Sequence, residues 1–68
     1  MKLSARNQFP GKVIEIKEGT VNAIVKVDAG NGMVITSMIT LDALKDLGIK
    51  VGDEVTAVVK SSSVMLMV

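Results

Sequence analysis

Val21-Asn22-Ala23-Ile24-Val25-Lys26-Val27-Asp28-Ala29-Gly30-Asn31-Gly32-Met33 is the stretch from which the fold of this chain is read. From Thr20 to Asp28, the residues Val21, Ala23, Val25 and Val27 alternate with Thr20, Asn22, Lys26 and Asp28, the period of a strand with one buried face. Ala29-Gly30-Asn31-Gly32 then offers Asn and Gly, which tolerate the positive φ of a primed hairpin turn. Met33 to Thr40 is therefore expected to return antiparallel to the strand before it.

Upstream, Lys12 to Lys17 also alternates, with Ile14 and Ile16 on one expected face and Glu15 and Lys17 on the other, until Glu18-Gly19 breaks the pattern. Downstream, Leu41 to Gly48 has Leu44 and Leu47 three apart, acidic residues early and a terminal Gly, the marks of a two-turn helix, with Thr40 as its N-cap. Val51-Gly52-Asp53 turns the chain into a further strand, Glu54 to Lys60, with Val55, Ala57 and Val59 inward. Ser61 to Ser63 interrupt it before a last apolar run, Val64 to Val68, expected to be the fifth strand. Three strands, a short helix and two strands are the order of a small five-stranded OB-like barrel, in which closure would hide the edges. The five N-terminal residues and Phe9-Pro10 fit less well, because Pro10 lacks an N–H and the segment before it is mostly polar. Met1 to Gln8 is expected to be an arm, a candidate strand for a neighbouring subunit.

The whole chain has 68 residues, enough for one domain with a marginal core. It has no Cys and no His, which removes disulfides, thiolate metal sites and Ser-His-Asp or Cys-His catalysis. Phe9 is the one aromatic residue, and a net charge of +1 is too balanced for a protein that lives on phosphate backbones. Apolar residues make up 49% of the chain, more than so small a domain hides within itself, so self-association is expected to cover the surplus. No apolar run reaches the length of a membrane span, and MKLSAR is not followed by the apolar stretch of a signal peptide; the expected compartment is the cytoplasm.

Two segments are rich in donors. Ser4-Ala5-Arg6-Asn7-Gln8 combines a hydroxyl, a guanidinium and two amides, and reads as an anion cradle or, more plainly, as a solvated terminus. Lys60-Ser61-Ser62-Ser63 sets a cation beside hydroxyls at a strand end, or forms an ordinary polar loop. Gly19-Thr20 and Thr36-Ser37 add hydroxyls, Ser37 on the face of Ile35 and Ile39. The carboxylates Glu15, Glu18, Asp28, Asp42, Asp46, Asp53 and Glu54 form no inward pair for acid/base chemistry. Asp28 to Gly32 lacks the later ligands of a calcium loop, and the glycines form no phosphate-binding motif.

Ser4-Ala5-Arg6-Asn7-Gln8 with Gly11-Lys12-Val13, the segment Ile35 to Asp42, Leu47-Gly48-Ile49, and Val55 to Ser61 together resemble the molbindins, proteins of the Mop-domain family, over essentially the whole chain. The resemblance implies a single Mop domain over residues 1–68, an OB-like barrel that dimerises by strand exchange and assembles into a homohexamer, a trimer of dimers. It implies molybdate or tungstate as the bound ligand at subunit interfaces, no organic cofactor, no enzymatic activity, and a role in holding or buffering the oxyanion for molybdenum or tungsten cofactor synthesis. No helix-turn-helix or ATPase segment accompanies the domain, which matches the stand-alone form of the family.

Carried over by position, one class of site would use Ser4, Ala5 and Arg6 of one subunit with Lys60 and Ser61 of its partner, and Thr40 nearby. Ala43 stands where several relatives carry Ser. A second class, near the threefold axis, would use Gly19, Thr20, Val21, Thr36 and Ser37. A tetrahedral dianion has four acceptor oxygens and no proton, so a shell of pure donors suits it. A protonated phosphate would set its own hydrogen against one of those donors, at about 1–3 kcal/mol. Sulfate has the same charge as molybdate and must be rejected by size. Arg6 and Lys60 are the expected counter-charges. The competing readings are an OB-type nucleic-acid-binding module, opposed by the neutral charge and lone aromatic, and a ligand-free structural assembly protein.

Overall fold

The computed structural model describes residues 6–68. It contains β1 (Asn7–Glu18), β2 (Asn22–Gly30), β3 (Met33–Thr40), α1 (Leu41–Leu47) and β4 (Glu54–Val59), followed by a 3-10 turn at Ser61–Ser63. The strands form one antiparallel sheet in the order β3-β2-β1-β4. The hairpin expected from Ala29 to Gly32 joins β2 to β3, with Asn31 at φ 54° and Gly32 at φ 76°, the left-handed pair of a type I′ turn.

β1 is the organising strand, and it bends in the middle. Its first half, Asn7 to Lys12, pairs with β4, and its second half, Lys12 to Glu18, pairs with β2. At the crossover a Cβ on Gly11 would collide with the Asp28 carbonyl oxygen and lie 2.8 Å from Val27 Cγ1, so the approach of the two strands needs glycine. Val13 donates to Asp53 O and accepts from Gly52 N on the β4 side. By alternation Pro10 turns its nitrogen to the opposite side, where β2 no longer reaches, so no ladder bond is lost. Asn7 and Gln8 are thus part of a sheet strand and not of an arm, and Phe9 and Pro10 fit the same strand, which corrects the expectation for these residues. The rest of the expected arm, residues 1–5, lies outside the described residues.

A register shift between Val13 and Glu15 also changes the expected face of β1. The extra residue is Ile14, which is 45% exposed, while Val13 is 1% exposed and Ile16 packs against the core. A bulge moves the inward phase by one position, which period-two reading cannot foresee. Val21, expected to face inward, precedes β2 and is exposed in the turn, whereas Ala23, Val25 and Val27 are buried.

Val13, Ala23, Val25, Val27 and Leu44 make up the core, with Ile16, Ile39, Leu41, Ile49 and Val55 against it. α1 supplies Leu44 and covers one end. It starts at Thr40, whose Oγ1 accepts the Ala43 N–H at 3.0 Å, and stops at Gly48 in the left-handed conformation. Leu47 is exposed and does not join the core. Among the described residues no helix is long and apolar enough to cross a membrane.

The sheet curls, but the expected fifth strand is absent from it. Between the edges β3 and β4 lies an apolar groove of about 420 Å³, floored by Val25 and Val27 and lined by Ile35, Ile39, Val55 and Val59. The segment expected to fill it stands outside: Met65, Leu66 and Met67 are 92%, 93% and 96% exposed. Four strands and an open groove therefore replace the five-stranded barrel within one chain. The physical reason is the 3-10 turn at Ser61–Ser63, which carries the chain off the end of β4 without folding it back along that strand.

Candidate functional site

The expected donors fall into separate groups. Arg6 and Lys60 each lie one residue beyond the Asn7–Val59 pair, so the two cations end β1 and β4 on the same side of the sheet. Both are exposed. Among the described residues the one ion pair joins Lys26 Nζ to Glu15 Oε2 at 3.7 Å, so Arg6 and Lys60 have no carboxylate partner there. Two like charges at one strand end repel each other unless an anion lies between or beside them.

Ser61 follows Lys60 in the 3-10 turn. Ser63 N–H donates to Lys60 O at 2.9 Å and Val64 N–H to Ser61 O at 3.2 Å, both backbone bonds that do not use the side chain of the exposed Ser61. Ser4 and Ala5, expected beside Arg6, lie outside the described residues.

Thr40 stands elsewhere. It pairs with Asn22 at the far end of the sheet, and Leu41 N–H donates to Val21 O at 2.8 Å. That bond sets Thr40 beside the turn of Gly19, Thr20 and Val21, itself closed by Gly19 N–H to Asn22 O at 2.8 Å. Because Thr40 Oγ1 already accepts from Ala43, its proton is the part left to donate outward. The length of β1 lies between this cluster and the Arg6–Lys60 end: Glu18 pairs with Ala23, and Asn7 with Val59. One chain brings Arg6, Lys60 and Ser61 together and Thr40, Gly19, Thr20 and Val21 together, but does not join the two groups.

Thr36 and Ser37 point to opposite faces of β3. Thr36 is opposite Lys26 on the outer face, and Ser37 is opposite Val25, half-buried in the groove with Ile35 and Ile39. The Glu15–Lys26 pair beside Thr36 was not legible in the sequence, because the bulge at Ile14 sets the register that makes these two residues neighbours. Among the described residues no three His, Cys, Asp or Glu side chains are grouped as a metal-cation site would need. The chemistry on offer is that of exposed cations, hydroxyls and backbone N–H groups, which suits an anion.

The family model of the TOBE domain matches residues 3–66. A "Probable molybdenum-pterin-binding protein" of Haemophilus influenzae is 52% identical over 66 residues, 97% of this chain and 96% of that protein. The solved structure of a molybdate-binding protein from Sporomusa ovata superposes with a TM-score of 0.92 at 39% identity, covering 98% of both chains. The cytoplasmic molybdate-binding protein ModG, solved with molybdate bound, superposes with a TM-score of 0.86 at 44% identity over 90% of this chain and 43% of its own. The match extends over almost the whole length of both chains in the Haemophilus influenzae and Sporomusa ovata relatives, and the chain belongs to the TOBE-domain family, among its molbindin (Mop) members.

Proposed function

We propose that this chain binds molybdate, and tungstate alike, as a tetrahedral dianion at interfaces of a homohexamer, and that it holds and buffers the oxyanion in the cytoplasm. The observation that carries the reading is the separation of the donors. Arg6, Lys60 and Ser61 occupy one end of β1 and Thr40 the other, so a shell that uses both requires a second chain. In such a shell Arg6 and Lys60 supply the counter-charge and the Ser61 and Thr40 hydroxyls donate, with Ser4 and Ala5 adding the hydroxyl and backbone N–H next to Arg6. The second set, Gly19, Thr20 and Val21 with Thr36 and Ser37, is assigned to a site where dimers meet around the threefold axis.

Assembly by strand exchange is part of the same reading. Residues 64–68 of one copy are assigned to the β3–β4 groove of another, where they complete the five-stranded barrel. Five apolar residues match the spans 35–39 and 55–59 that face each other across the groove, and each side chain fully buried there contributes about 1.5–3 kcal/mol. Both open edges are capped in the same step.

Relatives are named for binding, and this chain is a binding protein and not an enzyme. The pterin in one relative's name finds little support here: Phe9, the lone aromatic, is half-buried in β1, and no carboxylate stands in the apolar groove to pair with a pterin ring. The nucleic-acid reading is weakened by the same shortage of aromatic stacking surface.

Native mass spectrometry with calorimetry tests the proposal, titrating the protein with molybdate, tungstate, sulfate and phosphate at matched ionic strength. The expected result is a hexamer that takes up the two larger anions and leaves sulfate and phosphate weak. A monomer, or an oligomer indifferent to all four anions, would overturn it.

A further inference from the structure

Between the last sheet residue, Val59, and the exposed apolar tail at 64–68 lie four residues, Lys60 to Ser63. Four residues are also enough for a hairpin that would lay the tail back along β4 of its own chain, since hairpin loops of two to five residues are common. The groove beside β4 is open to receive it. In the structure the same residues instead form a 3-10 turn, held by Ser63 N–H to Lys60 O and Val64 N–H to Ser61 O, and Val64 leaves it extended at φ −90°, ψ 121°. The tail is thereby directed away from its own groove. The length of the segment thus permits a closed arrangement, in which the tail fills the groove of its own chain, beside the open one seen here, in which the tail is exposed.

We propose that residues 60–63 are a two-state hinge, and that an oxyanion held by Lys60 and Ser61 locks the open arrangement, so that anion occupancy slows the exchange of subunits between assemblies. The inference rests on the interface-site reading above. It deepens that reading by assigning regulation to a segment otherwise read as a contact. Lys60 carries a charge with no carboxylate partner among the described residues, and Ser61 supplies the carbonyl that fixes Val64. An anion that draws the Lys60 side chain and the Ser61 hydroxyl to one point fixes the first turn of the hinge. The tail of the partner can then leave only after the anion does. Linkage makes the effect reciprocal: whatever the anion adds to the assembled state, assembly adds to the affinity for the anion.

The test mixes unlabelled and nitrogen-15-labelled protein and follows mixed oligomers by native mass spectrometry, with saturating molybdate and with sulfate at equal ionic strength. Molybdate is expected to slow the appearance of mixed species by about fivefold or more, the lower range of ordinary coupling between sites. The double variant Ser62→Asn, Ser63→Gly places a type I′ turn in the hinge and is expected to shift the protein towards a closed monomer. An unchanged exchange rate with molybdate demonstrably bound overturns the hinge while leaving the binding function standing. Failure to bind molybdate at all removes the binding function, and the hinge with it. A double variant that assembles and exchanges like the parent chain also overturns the hinge.

Discussion

Val13 and Ile16 point to the same side of the sheet although they are three positions apart, an odd spacing, because β1 carries one extra residue between Val13 and Glu15. Val13 is the largest fully buried side chain among the described residues, while Ile14 beside it is 45% exposed. Val13→Ala is therefore expected to cost about 2–3 kcal/mol, and Ile14→Ala under about 1 kcal/mol. Urea unfolding of the two variants, compared at equal protein concentration, reads the difference. The reverse order would place Ile14 inside and remove the bulge.

Thr40 gives a second prediction. Its Oγ1 accepts the Ala43 N–H at 3.0 Å and so begins a helix of seven residues, too short to hold itself together without such help. Thr40→Ala is expected to lose about 1 kcal/mol of stability, and Thr40→Ser to keep most of it, since a serine hydroxyl accepts the same bond. Equal losses in the two variants would move the importance of Thr40 from its hydroxyl to its methyl group.

These two sites also mark how far the sequence could be read. The β2–β3 hairpin was legible because Ala23, Val25 and Val27 alternate without interruption up to an Asn-Gly turn, and the helix because a cap, two leucines and a stop glycine all agree. Ile14 misled, since alternation assumes an unbroken pleat and a bulge leaves no composition mark of its own. Pro10 misled in the opposite direction, because whether a missing N–H matters depends on which edge of β1 it faces, and that is a property of the neighbours. The identities of the candidate donors were legible as residue types. Their division between the two ends of β1 was not, because it follows from how Asn7 pairs with Val59 and Asn22 with Thr40.

The charges at the first of those ends carry the third prediction. Arg6→Ala and Lys60→Ala each remove a charged donor and are expected to weaken molybdate binding at the interface sites by about 10-fold to 100-fold, the range of one charge-assisted hydrogen bond. Both side chains are exposed within the chain, so the oligomer is expected to persist in the variants. Calorimetry for affinity and native mass spectrometry for assembly separate the two effects. Unchanged stoichiometry and affinity in Arg6→Ala would remove Arg6 from the site.

The tail supplies the last prediction, which tests geometry as well as contact. If residues 64–68 are added as a strand to the groove between β3 and β4, successive side chains must alternate between the apolar interior and the outside. Lysine placed singly at Val64, Met65, Leu66, Met67 and Val68 should then disrupt assembly at alternate positions, because a lysine directed into the groove carries a charge where Ile35, Ile39, Val55 and Val59 offer it no partner. Each inward lysine is expected to dissociate the oligomer at micromolar protein, and each outward one to be tolerated. Analytical ultracentrifugation of the five variants gives the pattern directly. Two interleaved classes establish a strand and identify its inward face. Uniform tolerance would leave the groove to some other occupant, and uniform disruption would mean that the tail is gripped from all sides and not laid into a sheet.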